Sequence, residues 1–297
     1  MRIRMIGAPM DLGADRRGVD IGTSAIRYAD INDRLRTLGH SVKDMGNLLI
    51  PQPESQPLGN PKLKYLEPIV RVSEELANIV TSILQEGEFP LILGGDHSIA
   101  LGSISGVAKI HKNIGVIWID AHADFNTNQT TPSGNIHGMI LSALAGIGHS
   151  SLTNVGGWQP KIHTESIVVV GARDLDSGEQ ALLREHSIHV FTMSEIDQLG
   201  ISEVMRQALT IAGDHNDGIH LSLDMDALDP KEAPGVGTPV RGGLTYREAH
   251  LAMELIADSG KLISMDVVEV NPILDRENAT ALLAVELVLS ALGKKIL

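Results

Sequence analysis

The chain has 297 residues, 43% of them hydrophobic, no cysteine and a formal net charge of -13 at neutral pH. These figures exclude disulfide staples, thiolate zinc sites and a cysteine nucleophile, and they argue against a nucleic-acid partner, which needs a basic face. No window approaches the ~18 apolar residues of a spanning helix, and the amino-terminal apolar stretch is too short for a signal segment, so a cytoplasmic protein with no membrane partner is expected. In chain order, strand-like apolar runs occupy residues 2–7, 41–45, 89–93, 115–119, 166–170, 188–191, 218–223 and 262–270. Between them, stretches 66–84, 100–110, 179–185, 202–212, 245–257 and 280–292 carry apolar residues at helical spacing. This alternation predicts an α/β fold, an eight-stranded parallel sheet with helices on both faces. With no repeat or low-complexity tract, and with 51–61 read as a surface loop, residues 1–297 are expected to form a single catalytic domain.

The chemistry collects at strand ends, where open α/β sheets bind their ligands. The run 115–119 opens into Asp120-Ala121-His122-Ala123-Asp124, and the run 218–223 into Asp224-Met225-Asp226. Side chains alternate along an extended chain, so Asp120, His122 and Asp124 can face one way, and Asp224 and Asp226 likewise. The run 89–93 opens into Gly94-Gly95-Asp96-His97-Ser98, which adds His97 in the same relation to a strand. One Asp after a strand is ordinarily a turn former or a helix cap. Four carboxylates and two imidazoles at three strand ends are instead a ligand set for a pair of divalent cations. Oxygen-rich, thiolate-free coordination suits Mn(II) better than structural zinc, while Fe, Co or Ni fit the same ligands. Two such cations would lie about 3.5 Å apart and hold a bridging water as hydroxide near neutral pH.

With Phe125-Asn126 after the first motif, Ser222-Leu223 and Ala227-Leu228-Asp229-Pro230 around the second, and Ser264-Met265-Asp266-Val267-Val268-Glu269-Val270-Asn271-Pro272 further on, the chain resembles the arginase branch of the ureohydrolase family. The resemblance runs from Gly7-Ala8-Pro9 to the final helix. It implies a three-layer αβα sandwich and two Mn(II) ions per subunit. One ion is then held by His97 and Asp124 and the other by His122 and Asp226, with Asp120 and Asp224 bridging. It also implies a homo-oligomer, a trimer or hexamer, in which the short carboxyl end 291–297 offers no extended tail contact.

The same resemblance assigns the substrate. Asn126, Ser133 and Asn135, in the polar loop 126–137, are expected to hold an α-carboxylate, and Asp176 the α-ammonium. Glu269 is expected to bind a guanidinium, His137 to carry protons to the leaving amine, and Asp124 to orient the attacking hydroxide. Thr238 is divided between substrate contact and simple turn chemistry beside Pro239. The expected reaction is hydrolysis of L-arginine to L-ornithine and urea by a hydroxide bridging the two metals. The alternative is an agmatinase or another guanidino-compound ureohydrolase. Deacetylase-like enzymes are disfavoured, because no paired-histidine dyad occurs, and deiminase chemistry requires the absent cysteine. A metal-binding module without catalysis has no use for His137 and Glu269. Asp174 is read as a helix cap or a local ion-pair partner. His220, on one strand face with Ser222 and Asp224, is left open between an ordinary core histidine and a support for the ligands.

Overall fold

The computed structural model describes residues 1–295, so the last two residues of the expected short carboxyl end, Ile296 and Leu297, lie outside the described residues. All eight expected strands form: β1 (Arg2–Ala8), β2 (Ser41–Asn47), β3 (Phe89–Gly94), β4 (Ile114–Ile119), β5 (Ile167–Ala172), β6 (His189–Thr192), β7 (Gly218–Asp224) and β8 (Leu262–Val268). They make one sheet in the order β2-β1-β3-β8-β7-β4-β5-β6, parallel throughout. Register brings Ile119 beside Leu223, Asp224 beside Val268, and Val267 beside Leu93. The carboxyl ends of β3, β8, β7 and β4 therefore stand level at the middle of the sheet.

Eleven helices are described: α1 (Gly22–Tyr28), α2 (Ile31–Thr37), α3 (Leu66–Gln85), α4 (Ala100–Ile110), α5 (Ile140–Leu144), α6 (Ser150–Thr153), α7 (Ser177–Glu185), α8 (Met193–Leu199), α9 (Ile201–Gly213), α10 (Tyr246–Ser259) and α11 (Ala279–Ala291). The sheet separates two cores. One is packed under α1, α2 and α8 to α11, the other under α3 to α7. The inner strands β3, β4, β5 and β7 are buried on both sides for that reason. Along β4, Ile117 and Ile119 enter the first core while Val116 and Trp118 enter the second. The result is the three-layer αβα sandwich.

Three departures from the sequence expectation have local causes. β8 stops at Val268 because Glu269 has a φ of 63°, in the left-handed region that ends an extended strand. β5 begins at Ile167, since Ser166 closes a 3-10 turn. The loop 51–61 contains a 3-10 turn, Pro53–Ser55, and runs into a short antiparallel pair, Gly59–Asn60 with Leu63–Lys64. Among the described residues no helix is long and apolar enough to cross a membrane.

Candidate metal centre and substrate cavity

Each of the four central strands delivers chemistry at its carboxyl end. After β3 the chain turns through Gly95, where a side chain would run into the Met10 backbone, so the loop after β1 can lie directly against this turn. Asp96 then ties the two loops, its Oδ2 accepting from Gly13 N at 2.7 Å and its Oδ1 from Ser98 N at 2.9 Å. That arrangement sets His97, fully buried, beneath the ends of β4 and β7.

His97 Nδ1 stands 3.1 Å from Asp120 Oδ2, 3.2 Å from Asp124 Oδ2 and 3.1 Å from Asp224 Oδ2. His122 Nδ1 stands 3.3 Å from Asp120 Oδ1 and 3.1 Å from Asp226 Oδ2. Two ligand groups result, His97 with Asp120 and Asp224, and Asp120 with His122 and Asp226. Asp120 belongs to both. Asp124, Asp224 and Asp226 are held above the ordinary carboxylate range, first by burial and then by neighbouring carboxylate charge. Burial works the same way on Asp120, but bonds to His122 and His97 hold it below that range. Burial also disfavours charge on the two imidazoles, and the surrounding carboxylates overcome it and push both upward.

This cluster fits divalent cations on its own evidence. His97 Nδ1 is buried and has no well-aligned hydrogen-bond partner although three carboxylates surround it. A nitrogen lone pair among buried carboxylate oxygens is a donor set for a hard or borderline cation. The imidazole is also fixed from behind, by a bond between its Nε2 and Ser222 Oγ (2.8 Å) and by stacking on Trp118 at 3.9 Å. Trp118 Nε1 donates to Asp120 Oδ2 at 2.9 Å, so one indole orients both an imidazole and the shared carboxylate.

Beside the cluster lies a cavity of about 270 Å³, lined by His122, Asp124, Asp224 and Asp226 at the metal end and by Asn126, Ser133, Asn135 and Asp176 elsewhere. This is near the lower limit of ligand pockets, about 300 Å³, and suits a small metabolite. Asn126 Nδ2 donates to Asp176 Oδ2 at 2.9 Å, joining the two loops. His137 also lines the cavity, and its backbone N donates to Gly13 O at 3.1 Å. Its Nδ1 is 3.1 Å from Glu269 Oε1, which also accepts from His97 N at 2.9 Å. Burial disfavours the imidazolium, but the bond and charge of Glu269 raise His137 to about 9. Thr238 lines the cavity and donates to Asp226 Oδ2 at 2.9 Å.

His97, Asp120, His122, Asp124, Asp224 and Asp226 meet at the cluster, and Asn126, Ser133, Asn135, His137, Asp176 and Thr238 line the cavity, while Glu269 stands behind His137 and off the cavity wall; the local route differs from the expected one. Strand β4 ends at Ile119, and Asp120 to Asp124 follow a bend in which Asp124 has a φ of 48°. Asp226 lies in a 3-10 turn. Loop geometry, not strand alternation, brings Asp120, Asp124 and Asp226 to Asp224, the last residue of β7. Two supporting assignments change. Asp174 is exposed and lines the cavity, while the N-cap position of α7 belongs to Asp176. His220 touches no ligand; it bonds Ser264 (2.7 Å) and Asp266 (3.1 Å), one layer deeper, and Ser222 is the residue that reaches His97.

Sequence reasoning missed Glu179, buried in the first turn of α7 and lining the cavity, with Oε1 accepting from Phe125 N at 2.9 Å. Burial first, then the charges of Asp124 and Asp176, raise it to about 8. Its position one turn after Asp176 was the available signal. It also missed Arg173, whose guanidinium donates to the carbonyls of Gly171, Asp226, Ala227, Leu228 and Val240 and so pins the turn carrying Asp226.

Comparison with known proteins agrees with this geometry. A profile of the Arginase family matches residues 1–293. An arginase of Brevibacillus brevis is 55% identical over 293 residues, covering 99% of this chain and 98% of the relative. The crystal structure of Bacillus caldovelox arginase superposes with a TM-score of 0.97 at 51% identity, covering 100% of this chain and 99% of that one. A structure described as a hypothetical agmatinase from Burkholderia thailandensis stands further off, at a TM-score of 0.74 and 25% identity, covering 98% of this chain and 84% of that one.

Proposed function

The chain belongs to the arginase family and hydrolyses L-arginine to L-ornithine and urea, and we propose that it does so with two Mn(II) ions and the residues of the cavity described above. His97 and Asp124 would hold one ion, His122 and Asp226 the other, with Asp120 and Asp224 shared between them. When bound, the pair supplies a water acidic enough to act as hydroxide near neutral pH and neutralises the crowded carboxylates.

The remaining work falls to the chain's own side chains. Asn126, Ser133 and Asn135 offer amide and hydroxyl donors to the α-carboxylate of arginine, and Asp176 offers an oxygen to its α-ammonium. Glu269 orients the guanidinium by charge, which keeps the reacting carbon at the metal end of the cavity. Cleavage of the carbon–nitrogen bond leaves ornithine as a poor leaving group until its amine gains a proton. His137, raised to about 9 and bonded to Glu269, carries a proton at neutral pH and is placed to give it. Thr238 orients Asp226 through its hydroxyl. Asp124 accepts from the attacking hydroxide and so aims it.

The observation that carries this reading is the 2.9 Å bond from Asn126 to Asp176. It couples an acceptor for ammonium to a donor for carboxylate beside the metal cluster, as a free amino acid requires and agmatine does not. Residues 1–297 are read as one catalytic domain, working in the cytoplasm as a homo-oligomer, a trimer or hexamer, on a small-molecule substrate. Urea release by the manganese-loaded protein from L-arginine, agmatine and guanidinobutyrate tests the assignment. Arginine is expected to lead in kcat/KM by at least about 100-fold, since the analogue without a carboxylate leaves the hydrogen-bonding groups of Asn126, Ser133 and Asn135 unpaired. Preference for agmatine overturns it.

A further inference from the structure

Asn135 reaches the cavity, but what fixes its amide comes from outside it. Lys64, at the end of the Leu63–Lys64 strand, places Nζ 2.9 Å from Asn135 Oδ1 and 2.7 Å from Asp15 Oδ1. Lys64 is not itself in the cavity wall. Its hairpin is bound to the substrate loop at two further points: Lys64 N donates to Gly134 O at 3.1 Å, and Lys62 Nζ to Thr131 O at 2.6 Å. Gly134, with a φ of 80°, is packed so closely on Pro61 that no side chain fits between them. The hairpin and the loop 131–135 are therefore one braced unit.

A primary amide presents an acceptor at one end and two donors at the other, and rotation by 180° exchanges them. An ammonium on Oδ1 forbids that exchange, because it would set two N–H donors against a cation. With its oxygen turned to the ammonium, Asn135 presents its N–H donors at the other end of the amide. A carboxylate can use only donors.

We propose that Lys64 is the positioning residue that makes the cavity selective for an α-carboxylate, by locking the Asn135 amide in its donating orientation. The proposal rests on the arginine reading above. Asp15, bonded to the same ammonium, holds Lys64 in place from the loop after β1.

The test compares Lys64→Met and Lys64→Arg with the manganese-loaded wild-type enzyme. Lys64→Met is expected to raise KM for L-arginine about ten-fold, the effect of one partly exposed charge-assisted bond, with kcat within about two-fold. The inhibition constant of L-ornithine rises by the same factor, and that of putrescine, which lacks the carboxylate, does not move. Lys64→Arg keeps most of the wild-type affinity. Adding Lys64→Met to Asn135→Ala changes little further, because the lysine acts through the amide. A KM within about two-fold of wild type overturns the proposal, as does equal weakening of ornithine and putrescine, which marks a merely loosened loop. If Lys64→Met does not fold, Lys64→Gln against Lys64→Arg makes the same comparison. Wild-type enzyme that releases no urea from arginine overturns the function assigned above instead, and direct binding of L-ornithine against putrescine, measured by calorimetry on the same variants, still judges Lys64.

Discussion

At the scale of single residues, the site is built by side chains diverted from ordinary structural duty. Asp176 occupies the N-cap position of α7 with extended backbone, φ -62° and ψ 148°, and makes no side-chain capping bond. Its carboxylate turns to Asn126 instead. A carboxylate released from capping is available to an ammonium, at the expense of about 1 kcal/mol of helix stability. Asp176→Asn is accordingly expected to raise KM for arginine about ten-fold, the loss of one charge-assisted bond, while manganese content stays at the wild-type value. Steady-state kinetics beside metal analysis checks this, and parallel loss of metal and activity contradicts it. Glu269 is diverted in its backbone: its left-handed φ of 63° ends β8 and turns the carboxylate toward His97 and His137. Such a conformation in a non-glycine residue is strain retained at a working position.

At the scale of elements, α7 links the substrate end of the cavity to the metal loop, since Glu179 in its first turn holds Phe125 N. Glu179 titrates at about 8 when folded against 4.5 ordinarily. The folded state therefore keeps a proton that the unfolded state releases, and its stabilising effect is complete below about 4.5 and lost as pH rises through 8. The stability difference between metal-stripped wild type and Glu179→Gln should fall across that window and level off above it. Denaturant unfolding at a series of pH values measures it, and a difference independent of pH contradicts the prediction. The long elements were legible in the sequence: α4 has its expected bounds, and α3 and α9 differ only at their ends. Both seven-residue helices α1 and α2 were not, because two turns are too few to display a period. Helix α8 is equally short, yet Thr192 and Glu195 form a capping box that the sequence does display. The clustering of Asp120, His122, Asp124, Asp224 and Asp226 was readable because they lie two residues apart in short motifs. Lys64 and Arg173 were not, because Lys64 meets Asn135 across 71 residues of chain and Arg173 meets Asp226 across 53.

At the scale of the whole molecule, the charge of -13 and the carboxylates of the metal centre belong to one balance. Cations bound only by the folded state stabilise it by mass action, so chelation is expected to lower the thermal midpoint by at least about 5 °C. Protons compete for the oxygens of Asp124, Asp224 and Asp226, all held above the ordinary carboxylate range first by burial. The gap between metal-loaded and chelated protein should narrow as the medium is acidified. Calorimetry with and without chelator decides this, and a gap that widens on acidification contradicts it. The strand order carries a further consequence. Strands β3 and β4, which bring His97 and Asp120, are consecutive in the chain but are held apart in the sheet by β8 and β7. The two strands between them are the last to leave a ribosome. No nascent fragment that stops short of residue 262 can close the middle of the sheet, and a chain truncated there loses Glu269 as well. Cation capture is thus a late event in the life of each new chain, and retention of divalent metal reports that β8 has been threaded into place.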